Sequence, residues 1–357
     1  MRRTTKIAAV AAVITLALAG CSKGHKSDSS GSTSALDCST LSGDGPKVGL
    51  AYDVGGQGDH SFNDAAAAGM KKAAADFGAT CTEGEAQTGE PESAREDRLR
   101  QMADAGYSPI IGVGFSYSDA VNAVAPDYPD ISFAVVDGFD PDKTVNKNVA
   151  YLGFAENEGS FLVGVAAAET TKTDHIGFVG GVHVDLIKKF EAGYVAGAKA
   201  IKPDIKVDVH YIEESNLSGF KDPAGGKAEA AAMYDNGADV VFQVAGASGS
   251  GVFDAAVEAG DGKWAIGVDG DQYGSASADQ KPHILTSMIK HVDTATYDMI
   301  KSVVDKKPLV SYQTYDLAHN GVGYSTSGGF LSQSLQDTIN SYAGKIKSGT
   351  LKVPTTP

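Results

Sequence analysis

The chain of 357 residues is poor in cysteine, tryptophan and positive charge, and each scarcity closes off a class of function. Only three cysteines occur, with no CxxC pair and no histidine cluster beside them, so no structural zinc site or other metal centre is expected. Lysine and arginine number 30 against 45 acidic residues, a net charge of −15. An acidic surface of this kind repels phosphate backbones, which argues against nucleic acid as a partner. Catalytic signatures are missing as well. "GASGSG" from Gly246 puts serine where a nucleophile elbow needs its last glycine. "KDPAGGKA" carries Lys221 and Ala228 where a phosphate-binding loop needs Gly and Ser/Thr, and no HExxH occurs. No GxGxxG opens the first helix, and the eight histidines are scattered, with His60 and His291 alone expected near a cleft. No catalytic residue and no cofactor follow from these patterns.

A long hydrophobic run is also lacking. "MRRTTK" followed by "IAAVAAVITLALAG" is a basic segment and an apolar stretch shorter than the roughly 20 residues of a membrane-spanning helix. It closes on Leu18-Ala19-Gly20-Cys21, which resembles a bacterial lipobox; residues 1–20 then read as a signal peptide and Cys21 as the lipidated first residue. Several acyl chains hold a protein stably where one is marginal, so a membrane anchor on the extracytoplasmic face is expected. Residues 21–45, rich in Ser, Gly and Asp, read as a flexible tether, with the folded body starting near Pro46. In an exported chain, the remaining Cys38 and Cys81 are expected to form a disulfide.

What is present is alternation. "KVGLAYD" (47–53), "PIIGVG" (109–114) and "ISFAVVDG" (131–138) are apolar runs suited to strands buried on both faces. Helical stretches lie between them at 62–77, 92–104 and 118–125. The pattern restarts with "HIGFVGG" (175–181), "IKVDVHYI" (205–212), "ADVVFQVAG" (238–246) and "KWAIGVDGD" (263–271). Repeated βαβ order predicts an α/β fold of two doubly wound parallel-sheet lobes. Ligands bind such sheets beyond the carboxyl ends of the strands, which places Asp53, Ser116, Asp137, Gly246 and Asp269 around one interlobe cleft. Phe62, an apolar ring in the glycine-rich "GQGDHSFND", opens a helix just after such an end. The glycine-rich "VAGASGSG" has the form of an anion cradle, but without Lys or Arg it reads better as a point of close approach.

The segments "VGLAYDVGGQGDHSFND", "NVAYLGFAENEGSFLVGVAAA", "IGFVGGVHVDLIKKFEAGYVAGAKAIKPDIKV", "GFKDPAGGKAEAAAMYDNGADVVFQVAGASGSG" and "GVDGDQ…ILTSMIKHVD" occur in order over about residues 47–310. Together they resemble the basic membrane protein (BMP) family, lipoproteins that act as solute receptors of ABC importers and include purine nucleoside receptors. The resemblance implies a type I periplasmic-binding-protein fold, two lobes joined by a hinge. The lobes would be 46–155 with 290–310 and 156–289 with 311–357, crossing near 154–156, 288–291 and 307–311. It further implies that Phe62 stacks on a base and Asn63 bonds its edge, with Asp53 and Asp137 as further pocket acids. Phe220 would be the second aromatic, Asp269 and Lys290 would meet the ribose, Gly246 would lend backbone, and Ser116 and Ser118 would add polar contacts. The implied partners are a nucleoside, of the purine class, and the permease and ATPase subunits of an importer, with the receptor a monomer and no enzyme. Departures from the family pattern are His60, where Lys is common, and His183-Val184-Asp185. Two other readings stay open: the same fold binding a sugar or another small polar solute, and a nucleoside hydrolase using Asp53, Asp59 and Asp137. Each residue also has an ordinary alternative: Asp53 and Asp137 as helix caps, Lys290 as a surface cation, Phe220 as a core plug.

Overall fold

The computed structural model describes residues 35–140 and 146–357; the expected signal peptide, the expected lipidation at Cys21 and most of the expected tether lie outside the described residues. The strands, in chain order, are β1 (Lys47–Tyr52), β2 (Thr80–Glu85), β3 (Ile110–Val113), β4 (Phe133–Val136), β5 (Val149–Phe154), β6 (His175–Val182), β7 (Lys206–Glu213), β8 (Val240–Val244), β9 (Trp264–Asp269), β10 (Ile284–Lys290), β11 (Ser311–Tyr315) and β12 (Val322–Tyr324). They form two six-stranded sheets, ordered β11-β5-β4-β3-β1-β2 and β12-β10-β9-β8-β6-β7. Every pairing is parallel except β10 with β12. The central strands β3, β4, β6 and β8 are buried along their whole length, which is why they read as unbroken Val/Ile/Phe runs rather than alternating ones. Both sheets share one winding order, in which the chain reverses direction across the sheet after its second strand. The crevice at that reversal is where doubly wound sheets hold ligands.

Three crossings join the lobes. The chain leaves the first sheet after β5, enters the helix Glu156–Thr170, and returns after β10 into the helix Val292–Val304, which packs on the helix Phe62–Phe77. That contact is tight: a Cβ on Gly69 would stand 2.3 Å from the carbonyl oxygen of Asp293. The third crossing differs from the expected one. Ser311–Tyr315 pairs in register with Ala150–Phe154, so this segment completes the first sheet, and the chain crosses only between Tyr315 and Val322. Lys290 likewise ends a strand of the second sheet and does not belong to the first lobe. β11 holds three tyrosine and serine residues and little aliphatic surface, so its strand character comes from the β5 edge beside it rather than from its own pattern.

The tether is shorter than its composition implies. Leu36 is buried in the first lobe, and its N–H and C=O are both held by the Gln57 side chain, at 2.7 and 3.0 Å. Cys38 and Cys81 are joined in a disulfide, and Gly45 N–H donates to the Gly78 carbonyl at 3.0 Å. One leucine and one covalent bond offset the ordering cost that a Ser/Gly-rich average suggests would prevail. The folded body therefore includes Leu36, ten positions ahead of Pro46. Among the described residues no helix is long and apolar enough to cross a membrane.

Candidate functional site

The loop after β1 sets the first wall. Gly55, Gly56 and Gly58 take positive φ angles that carry the chain through a tight path to the helix at Phe62. The free amides at that helix start are served by Asp59: its Oδ1 accepts from the N–H of Ser61 (2.9 Å) and Asp64 (3.1 Å), its Oδ2 from Asn63 N–H at 2.8 Å. Asp59 is thus the functional cap, although Ser61 occupies the N-cap position. This fixes Phe62 and Asn63 at the mouth. Asp53 follows β1, Gly114 and Phe115 follow β3, and Asp137 follows β4. Across the gap stand Val244 at the end of β8, Gly246 and Ala247 after it, Asp269 at the end of β9, and Lys290 at the end of β10. Asp137 and Asp269 both adopt left-handed backbone, φ 61° and 63°, a conformation that aspartate tolerates better than most side chains.

These residues line a cavity between the lobes, together with Val54, Asp59, Leu186, Ile187, Phe190, Phe220 and Val268. Phe62 and Phe115 come from the first lobe, Phe190 and Phe220 from the second. Eight of the ten residues singled out in the sequence line it: Asp53, Phe62, Asn63, Asp137, Phe220, Gly246, Asp269 and Lys290. Ser116 and Ser118 do not. Ser116 Oγ donates to Asp53 Oδ2 at 2.8 Å, and Ser118 Oγ accepts from the Phe139 N–H at 3.1 Å, so both turn toward their own lobe. His60 and His291 also stay out of the lining; His60 is exposed beside Asp64, and His291 pairs with Asp293 at 3.2 Å. His183 pairs with Glu214 and lies against Tyr211. The glycine-rich loop proves to be a close approach: a Cβ on Gly246 would meet the Phe220 carbonyl oxygen at 3.3 Å. Sequence reasoning missed Phe115 and Phe190. Phe190 had a detectable signal, since it lies on the apolar face of a helix opening beside a strand end; Phe115 lies in a one-turn segment with no periodicity.

The polar groups are placed for a ligand rich in hydrogen-bond donors. Asn63 Nδ2 donates to Asp59 Oδ2 at 3.0 Å, while its Oδ1 is buried with no protein partner. Asp137 Oδ2 accepts from Lys290 Nζ at 2.6 Å, and its Oδ1 is likewise buried and unpartnered. Buried acceptors left unpaired are costly, so the arrangement favours a molecule that supplies N–H or O–H groups to them. Burial raises the Asp53 carboxyl against the pull of Val54 N–H, Ser116 and Arg95, and it raises Asp59 in the same way. Burial pushes Asp269 up to about 6, although Lys290 and Ser61 favour its ionised form. For Lys290 burial acts downward, yet Asp137, Glu156 and Asp269 together hold it above the ordinary lysine range. Its ammonium is 2% exposed and lies 5.2, 4.9 and 5.3 Å from the ring centroids of Phe62, Phe154 and Phe190. Among the described residues no cluster of three or more His, Cys, Asp or Glu is arranged to hold a metal ion.

Residues 47–356 match the family of ABC transporter substrate-binding proteins described as PnrA-like. The chain belongs to this family. It is 35% identical, over 99% of both chains, to the ABC transporter nucleoside-binding protein BmpA of Lactococcus lactis subsp. cremoris. It is also 35% identical to a CD4+ T-cell-stimulating antigen of Listeria monocytogenes, over 87% of this chain and 88% of that one. Among solved structures, an ABC transporter solute-binding protein from Aeropyrum pernix is similar with a TM-score of 0.75 and 28% identity, over 87% of this chain and 93% of that one. A substrate-binding role within an importer of the PnrA-like family accounts for a largely apolar cavity ringed by strand-end acids.

Proposed function

We propose that this substrate-binding protein takes a nucleoside, with purine preferred, between its lobes and delivers it to an ABC permease while held to the membrane through lipidated Cys21. The observation that carries the reading is the pairing of Phe62 and Phe220 on one cavity with two unsatisfied acceptors, Asn63 Oδ1 and Asp137 Oδ1, at its polar side. Flat rings take a base, and each stacked aromatic is worth about 1–3 kcal/mol. Asn63 and Asp53 read the base edge; Asp269 accepts from vicinal ribose hydroxyls, with Lys290 and the Gly246 backbone beside the sugar. Ser116 acts one layer out, by orienting Asp53. The protein acts as a monomer, and its lobes close on the ligand about the three crossings. The named binding function of the Lactococcus relative supports the same class of ligand.

The test is thermal unfolding of the purified protein with adenosine, guanosine, inosine and cytidine, since a ligand of the folded state raises its stability by mass action. A purine nucleoside raises the midpoint, and Phe62→Ala, by removing one stack, weakens affinity about 5- to 150-fold. A melting curve unmoved by millimolar nucleoside refutes the reading. Ultraviolet absorption and mass of any ligand extracted from the purified protein separate a nucleoside from a sugar.

A further inference from the structure

Two residues at the seam between the lobes stay out of the cavity lining and yet join its walls. Gln272 is 3% exposed. Its Oε1 accepts from the Val268 N–H at 2.9 Å and from Gln243 Nε2 at 2.7 Å, and its backbone N–H donates to Ser287 Oγ at 3.2 Å. These bonds lie within the second lobe and hold the amide rigidly. Its Nε2 is then left to donate across the seam, to the carbonyl oxygen of His60 at 3.1 Å. His60 sits in the left-handed region, φ 53°, and contributes that carbonyl while its ring stays outside. Ser61 stands next in the chain. Its hydroxyl donates to Asp269 Oδ2 at 2.5 Å and lies 3.5 Å from the Val268 carbonyl oxygen, both on the opposite lobe. Because Asp59 serves the helix amides, the Ser61 hydroxyl is free of capping duty and spends its bond across the seam.

We propose that Ser61 and Gln272 form a clasp that sets the lifetime of the closed, ligand-holding state without touching the ligand. Their chain neighbours, Phe62 and Asn63 on one side and Asp269 on the other, all face the cavity, so closing the clasp brings the two walls to working distance. Asp269 serves both tasks: one oxygen takes the Ser61 hydroxyl and the other is left for the cavity. The ligand arm of the test rests on the nucleoside reading above; the free-protein arm does not.

The experiment uses the full chain at pH 8 with Ser61→Ala and Gln272→Glu. The first deletes only the cross-seam hydroxyl. The second keeps the acceptors for Val268 and Gln243 and removes the donor to His60. Loss of one net hydrogen bond makes each variant release guanosine about three- to tenfold faster, with association unchanged. Small-angle scattering of the free protein then shows a larger radius of gyration in both variants, while the unfolding midpoint of free Ser61→Ala stays at the wild-type value. A merely structural role would lower that midpoint and leave the dissociation rate alone. Dissociation within twofold of wild type together with unchanged scattering overturns the clasp. Faster dissociation in Ser61→Ala alone also overturns it, because that result assigns the effect to Asp269. If no nucleoside binds, scattering of the free variants still decides the clasp, and only the ligand reading falls.

Discussion

Acidification separates the ligand's hold on Asp269 from the stability of the fold. Asp269 is 7% exposed, and burial pushes its carboxyl up to about 6. A nucleoside whose hydroxyls donate to this carboxylate favours the ionised form, so the complex titrates below the free protein. Affinity is then level above pH 6 and falls as pH drops through that value, by up to about tenfold per pH unit, or about 1.4 kcal/mol. The folding term has the opposite sign. The folded-state pKa lies above the unfolded value of 3.8, so ionised Asp269 costs the fold about 3 kcal/mol at neutral pH, a cost that disappears as pH falls from 6 toward 4. Asp53, Asp59 and Glu156, also raised by burial, contribute with the same sign; Asp208 and Asp293, which are lowered, contribute with the opposite one. The assay is isothermal titration with guanosine from pH 8 to pH 5, beside thermal unfolding of the free protein in the same buffers. Asp269→Asn isolates the group: it flattens the dependence between pH 7 and pH 5, apart from the share owed to Asp53. A wild-type affinity equal at pH 8 and pH 5 refutes the argument, as does a loss of affinity that merely follows unfolding of the free protein.

Lys290→Met leaves Asp137 and Glu156 as buried carboxylates without their ammonium and lowers stability by about 3–5 kcal/mol; Lys290→Met with Asp137→Asn recovers part of it, as chemical denaturation will show. The Leu36–Gln57 clamp predicts that Gln57→Ala, or reduction of the Cys38–Cys81 disulfide, loosens the loop ahead of Phe62. Hydrogen exchange at Gly55–Ser61 rises in either case, with protection in the second sheet unchanged.

The two lobes were legible because a strand buried on both faces must be apolar throughout, and six such runs stand between glycine-marked turns, with "IKVDVHYI" alternating as a half-buried edge strand does. Helix limits were legible where chemistry marks them: Phe62–Phe77 ends at Gly78 in the left-handed conformation, and Glu92–Asp104 starts after Pro91. β11 was hidden for the opposite reason. Its residues alternate between half-buried and exposed at a sheet edge, and only the neighbouring strand makes them a strand. The cavity acids were visible as strand-end residues, but hydrogen-bond direction was not. Nothing in "GFSYSD" says that Ser116 faces Asp53 rather than the ligand, because a hydroxyl satisfies either partner equally well and the choice belongs to the third dimension. The same holds for Asp59, which the hydrolase alternative takes as one of three acids and which is a helix cap in the folded chain.

Charged bridges across the seam, unlike the neutral donors Ser61 and Gln272, select a partner more than they drive closure. The first lobe brings Asp53, Asp59 and Asp137 to the cavity, the second Asp269 and Lys290. When the lobes part, each of these charges regains water, and the Asp137–Lys290 pair, 2.6 Å apart when closed, trades strong attraction for two hydration shells of similar worth. The exposed Glu85–Lys221 bridge contributes little, as solvent screens it. Closing energy beyond that of the Ser61 and Gln272 bonds must therefore come from burying apolar rings against a ligand and from filling the acceptors on Asn63 and Asp137. A ligand that stacks but brings no donors leaves those oxygens desolvated and unpaired, and one that brings donors without a flat face leaves Phe62 and Phe220 unburied. Only a molecule with both parts, held about as far apart as the rings stand from Asp269, closes the lobes at low concentration.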